Sequence, residues 1–260
     1  MQQLRLFLTA LQFFTRIPVP RWVGHTAEQL NQAARYFPLV GALVGVVAGL
    51  VLWLGVQIFP LSVALVLSMA ASIWLTGAFH EDGLSDYADG MGGAYTREKI
   101  LAIMKDSRVG AYGVIALILA LLLKYEALLA LASRYPLLQL CAMLVAAHAL
   151  SRLLALGVMW RLPYVREEES ARAKPLAQQL SVASAVIALL TGALALTLLY
   201  FCGVKLLNII SMLFISLVLL LLLARQMHKQ LGGYTGDCLG AVQQITEVGL
   251  YLGLLLNFSR

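Results

Sequence analysis

Charge is what this chain has least of: Asp, Glu, Lys and Arg make up only 12% of 260 residues. A soluble domain carries about 25%. Hydrophobic residues reach 61%, so an ordinary soluble globule is excluded, and disorder with it. Proline is scarce at 7 residues and glycine stands at 21, which rules out collagen-like and linker-like chains. Three cysteines, Cys141, Cys202 and Cys238, cannot close a disulfide framework and match no zinc spacing. The net charge of +6 does not call for a nucleic-acid partner. In a membrane chain, excess Lys and Arg report topology.

What the chain does have is long apolar runs. A spanning helix needs roughly 20 mostly apolar residues. Seven stretches qualify: Phe37–Phe59, Leu61–Phe79, Ala111–Ala132, Leu137–Trp160, Leu180–Gly203, Leu206–Ala224 and Leu239–Phe258. Short links such as Pro60, Ser133–Pro136 and Val204–Lys205 make helical hairpins of neighbours. The fold class expected is an all-α, polytopic transmembrane bundle of about seven spans, forming a single domain over 1–260. The third span is the weak one, because Lys124 and Glu126 interrupt it; a broken or shifted helix is expected there.

Orientation follows from the cations. With the N-terminus inside, inner segments hold fourteen Lys and Arg and outer segments hold three, namely Arg134, Lys205 and Arg260. This positive-inside bias predicts an N-in, C-out chain in the lipid bilayer. Residues 1–20 lack a signal-peptide cleavage site. Leu4, Phe7, Leu8, Leu11 and Phe14 recur at helical spacing. They read as an amphipathic helix on the inner surface, or as one packed against the bundle.

The acids are collected too. All except Glu126 and Glu247 fall in inner segments, most densely in HEDGLSDYADGMGG, His80 to Gly93, within a motif segment 80–110. At about 100° per residue, Asp82, Asp86 and Asp89 share a stripe about 60° wide if the second span continues as a helix. Like charges so close need a cation between them, or else stand solvated in a polar loop. A hard divalent ion suits them, and the spacing alone does not separate magnesium from calcium. Glu81 joins the candidate ligands. His80 reads as a ligand, a base or a satisfied interfacial side chain.

Two further polar elements follow. In MKDSRVGAYG, Asp106 and Arg108 precede the third span; the planar guanidinium suits phosphate, although a topology-setting basic cluster would look similar. In LGGYTGDCLGA, residues 231–241, Gly232, Gly233, Thr235, Gly236 and Asp237 make a tight loop opening the seventh span. A helix N-terminus with free N–H groups attracts anions, but Asp237 reads equally as a helix cap. The pairs Gln243/Glu247 and His148/Arg152 each read as a functional site or as a helix–helix hydrogen-bond pair. The charged loop 161–179, with Glu167, Glu168 and Glu169, reads as solvated. Two function classes remain: a metal-dependent phosphate-handling enzyme, and a transporter or channel with an acidic mouth. Carboxylates at span ends rather than at midplane favour the enzyme.

The same residues carry a family resemblance along nearly the whole chain. FFTRIPVP (Phe13–Pro20), FPLVGALVG (Phe37–Gly45), GAFHEDGLSDYADG (Gly77–Gly90), MKDSRVGAYG (Met104–Gly113) and LGGYTGDCLGA (Leu231–Ala241) occur in order. Together they resemble the cobalamin synthase family, the adenosylcobinamide-GDP ribazoletransferases. The resemblance implies a multi-pass bacterial inner-membrane enzyme with a cytoplasmic site. Its substrates would be adenosylcobinamide-GDP and α-ribazole or α-ribazole 5′-phosphate. Its products would be adenosylcobalamin or its 5′-phosphate, and GMP, with Mg2+ required. Whether copies associate as a homo-oligomer is left open. On this view Asp82, Asp86 and Asp89 would hold magnesium. One of them or His80 would accept the hydroxyl proton, and Arg108 would stabilise transferred charge.

Overall fold

The computed structural model describes residues 1–24, 26–165 and 181–256. The charged run Glu167–Glu169 lies outside the described residues. Among the described residues eleven α-helices follow in order: α1 Gln2–Phe14, α2 Ala27–Ala33, α3 Phe37–Gly55, α4 Leu61–Thr76, α5 Phe79–Gly93, α6 Arg97–Met104, α7 Ala111–Ala132, α8 Leu137–Arg161, α9 Val182–Phe201, α10 Leu206–Leu231 and α11 Gly236–Leu255. Among the described residues the sole β pairing is an isolated parallel bridge, Tyr164 to Tyr234. The chain is thus an all-helical, polytopic membrane protein. Among the described residues six helices are long and apolar enough to cross a membrane, or up to seven if α4 and α5 count together.

The second expected span needs correction. It stops at Thr76, not Phe79, and at 16 residues α4 is about 24 Å long, short of a bilayer core of about 30 Å. Gly77 (φ 66°) and Ala78 (φ 58°) both take the left-handed conformation. Two such residues in succession turn the chain, and α5 leaves α4 at 87°. The acidic segment 80–110 is therefore neither a loop nor a continuation of the span. It is a separate helix, α5, followed by the short α6. α4 and α5 thus form a bent pair rather than one straight span.

The third span is continuous despite its charges. Lys124 is buried and its Nζ lies 2.6 Å from Glu247 of α11, so each charge neutralises the other inside the bundle. Glu126 faces outward. The N-terminal helix is packed against the bundle: Leu6, Ala10, Leu11 and Phe14 join one core with Leu30 and Phe37, while Leu4 stays exposed.

Helices approach closely where small residues meet. A Cβ on Gly41 or Gly45 of α3 would lie 2.2 Å from the His148 carbonyl oxygen or 2.5 Å from Val145 Cα of α8. In lipid, such backbone-to-backbone packing replaces the hydrophobic drive that holds soluble helices together. The α3–α8 and α10–α11 pairs are the most extensive helix contacts, and α5 packs chiefly against α11 and α7.

Candidate active site at the crossing of α5 and α11

The acidic motif and the Gly-rich motif meet. A Cβ on Gly83 of α5 would lie 3.1 Å from the Asp237 carbonyl oxygen and 3.2 Å from Gly240 Cα. A Cβ on Gly240 of α11 would lie 3.0 Å from the His80 carbonyl oxygen. The two backbones therefore touch, and glycine on both sides is what permits it. This contact brings Asp237, 151 residues away in sequence, to the acidic stripe.

Asp82 is exposed, Asp86 and Asp237 are half-buried and Asp89 is buried. Partial burial, and then repulsion from Asp82, Asp237 and Asp89, pushes the Asp86 carboxyl up from 3.8 to about 7. Three carboxylates thus act on Asp86 at one place, although they come from helices far apart in the chain.

Their roles differ. Asp89 Oδ2 accepts from the Gly110 amide at 2.7 Å, and its Oδ1 accepts from the Gly113 amide at 2.9 Å. Both oxygens are committed to the N-terminus of α7, where a negative charge is favoured. Glu81 points elsewhere: its Oε1 accepts from Gln244 Nε2 at 2.9 Å, inside the bundle. Being about 100° round the helix from Asp82, it cannot share the stripe. His80 lies about 200° from Asp82 and stacks on Phe14 with ring centroids 5.3 Å apart. The structure therefore joins Asp82, Asp86, Asp89 and Asp237, and does not bring Glu81 or His80 to them.

The loop after α6 is tied to the stripe through Asp89. Within it Asp106 and Arg108 pair with one another, Arg108 Nη2 to Asp106 Oδ2 at 2.5 Å. The guanidinium holds the Asp106 carboxyl down at about 2, and Arg108 itself is exposed. The side-chain hydrogen bonds of Arg108 run to Asp106.

The Gly-rich loop is built for shape. Gly232 caps α10 in the left-handed conformation, and Gly233 lies where a Cβ would be 2.1 Å from the Pro163 carbonyl oxygen. Thr235 is the N-cap of α11, its hydroxyl accepting from the Cys238 amide at 3.4 Å. Asp237 is in the first turn, also within 3.4 Å of the Thr235 hydroxyl. Capping thus falls to Thr235, which frees the Asp237 carboxylate from that role.

Among the described residues no three acidic, His or Cys side chains are close enough to form a ready-made metal cage. Magnesium does not need one. It is commonly bound through one or two carboxylates plus waters and substrate phosphates. Asp82 and Asp86, with Asp237 opposite, match that requirement, and the repulsion concentrated on Asp86 is what a cation would relieve.

The pairs Gln243/Glu247 and His148/Arg152 singled out in the sequence are hydrogen-bonded in a buried polar chain behind α5, and Gln244, which the sequence reading did not single out, belongs to it. Glu247 Oε2 accepts from Gln243 Nε2 at 2.6 Å and lies 3.2 Å from His148 Nδ1. Gln244 Nε2 reaches both Gln243 Oε1 and Glu81 Oε1 at 2.9 Å. The chain links Lys124 in mid-bundle to α5. Its signal was the polar run Gln243, Gln244 and Glu247 in an otherwise apolar span.

The sequence profile of the cobalamin-5-phosphate synthase family matches residues 6–255. An adenosylcobinamide-GDP ribazoletransferase of Leptothrix cholodnii is 50% identical, over 96% of this chain and 95% of its own. One from Shewanella amazonensis is 49% identical over 100% of this chain and 98% of its own. A third, from Shewanella frigidimarina, is 48% identical over 98% and 95%. No solved structure matches the chain. The chain belongs to the cobalamin-5-phosphate synthase family.

Proposed function

We propose that the chain joins adenosylcobinamide-GDP to α-ribazole or its 5′-phosphate, releasing GMP and completing the nucleotide loop of cobalamin. The observation that carries this reading is the convergence of Asp82 and Asp86 with Asp237 at the α5–α11 crossing. The names of relatives that are nearly half identical over their full length support it.

In the reaction the ribose hydroxyl oxygen forms a bond to the pyrophosphate phosphorus next to cobinamide. The bond from that phosphorus to the oxygen of GMP breaks, and the hydroxyl proton is lost. Such transfer depends on alignment and charge neutralisation. Asp82, Asp86 and Asp237 would hold magnesium, which supplies neutralisation of the pyrophosphate oxygens when bound. The first-turn N–H groups of α11 face anions favourably. Arg108, exposed and paired with Asp106, is free to exchange that partner for a phosphate. Asp89 holds the start of α7 and with it the Asp106–Arg108 loop. A carboxylate of the stripe takes the proton. The bilayer would be a bacterial inner membrane, with the site on its cytoplasmic side.

The test is GMP release by the purified full chain in lipid nanodiscs. Release should require magnesium and both substrates together. No release with folded protein and all three components would overturn the reading.

A further inference from the structure

The glycine contact between α5 and α11 sets how near the two helices come, but not how α5 is turned about its own axis. Gly83 and Gly240 meet backbone to backbone, so no side-chain ridge enters a groove at the crossing. The turn matters for the stripe. A helix with its side chains is about 10–12 Å across, so a rotation of about 20° carries a side-chain tip about 2 Å. A misplacement of about 1 Å can cost a reaction roughly 100-fold.

Polar ties hold α5 at both ends. Toward its C-terminus, Asp89 accepts from the Gly110 and Gly113 amides, and the Tyr87 hydroxyl donates to Gln226 Oε1 of α10 at 3.1 Å. Toward its N-terminus, Glu81 Oε1 accepts from Gln244 Nε2 of α11 at 2.9 Å. Glu81 Oε2 has no hydrogen-bond partner among the described residues, so Oε1 makes this tie. Glu81 directly precedes Asp82. An α5 rotated off Gln244 would take Asp82 and Asp86 off Asp237 by the same angle. On α11, Asp237, Gly240 and Gln244 follow at three- and four-residue spacing along one face, so one helix supplies the opposing carboxylate, the smooth contact and the tie.

Gln244 is itself held. Its Nε2 also donates to Gln243 Oε1 at 2.9 Å. Gln243 Nε2 donates to Glu247 Oε2 at 2.6 Å and to Ser151 Oγ of α8 at 3.1 Å. Lys124 of α7 pairs with Glu247. Gln243, Gln244 and Glu247 are all buried. The direction of the chain is set from its ionic end, because an ionised carboxylate only accepts. Gln243 therefore turns its nitrogen to Glu247 and its oxygen to Gln244. Gln244 must answer with its nitrogen, whose two N–H groups serve Gln243 and Glu81. Turning this amide over would leave buried groups unpaired, which is costly.

We propose that Gln244 is a positioning residue: through Glu81 it sets the rotation of α5, and with it the reach of Asp82 and Asp86 toward Asp237; the inference rests on the transferase reading above. Neither Gln244 nor Glu81 touches the reacting groups. Glu81 acts by accepting one hydrogen bond, and not as a metal ligand or a base.

Two magnesium titrations of the full chain in nanodiscs test this. One reads GMP release with both substrates present, and the other reads the rise in melting temperature without them. Gln244→Met keeps length and removes the amide; Glu81→Leu removes the acceptor and serves if the first does not fold. Each should raise the half-saturating magnesium concentration at least tenfold in both titrations. Glu81→Gln keeps an accepting oxygen and should stay within about threefold of the parent. A merely structural tie would lower the folded fraction and leave half-saturation unchanged, so that result in a folded loss variant would overturn the inference alone. Glu81→Gln as impaired as Glu81→Leu would overturn it too, since the charge and not the hydrogen bond would then matter. Parent protein that releases no GMP would overturn the transferase reading and this inference with it.

Discussion

Asp86 is the residue on which the charge of the site converges. Its pKa of about 7 against 3.8 for an ordinary aspartate means the folded chain keeps a proton that the unfolded chain has lost. Stability therefore falls as pH rises from about 4 to about 7, and the deficit persists above that. Asp86→Asn removes the repelled charge. Without magnesium the variant should melt at a higher temperature than the parent above pH 7 and lose that advantage below pH 4. Magnesium should raise the melting temperature of the parent more than that of the variant. Turnover of Asp86→Asn should drop roughly 100-fold or more, the scale of losing electrostatic stabilisation worth about 3 kcal/mol. A variant that is neither stabilised nor inactive would remove Asp86 from the site. The stripe of Asp82, Asp86 and Asp89 was legible from helical periodicity alone. The division of labour within it was not, because the partners of Asp89 are backbone amides 21 and 24 residues away.

At the scale of the element, α5 is placed by two features: the left-handed pair Gly77–Ala78 and the glycine contact with α11. Ala78 bears a Cβ in a conformation that costs it roughly 1–2 kcal/mol. Ala78→Gly should relieve this and raise thermal stability in detergent, while Gly77→Ala should lower it, since the new Cβ would also lie 2.9 Å from Arg16 Nε. Gly83→Ala tests the crossing. Its Cβ meets backbone atoms of Asp237 and Gly240 at 3.1–3.2 Å, so the helices must part by a few tenths of an ångström. Folded protein with turnover reduced at least tenfold is the expected outcome, because transfer is sensitive to small misplacements. Unchanged turnover would show that the crossing does not set the site. Helix positions were largely readable, since apolar length fixes spans. The 87° turn was not: an alanine in the left-handed region leaves no mark in composition, and hydropathy runs on through it.

Across the whole molecule, the spans carry charge in their buried interior, and Lys124 and Glu247 carry it as a pair. Lys124 and Glu247 look like blemishes in the sequence and become partners in the bundle. Lys124→Met would leave Glu247 buried with less compensation and should destabilise the fold by about 3–5 kcal/mol. Lys124→Met with Glu247→Gln should recover much of that, as read by thermal unfolding. Equal stability of the single and double variants would contradict the pairing. Sequence flagged Lys124, His148, Gln243 and Glu247 but not Gln244, nor which joined which, because the contacts link α5, α7, α8 and α11. The central claim is likewise one of long-range assembly: Asp237 serves the acidic stripe and is not a helix cap. Asp237→Ser keeps a capping side chain and removes the charge, while Thr235 continues to cap α11. The decisive measurement is magnesium-dependent GMP release by this variant in nanodiscs. The account predicts folded protein with turnover down by roughly 100-fold or more and a weakened response to magnesium; near-parental turnover with an unaltered magnesium dependence would contradict it.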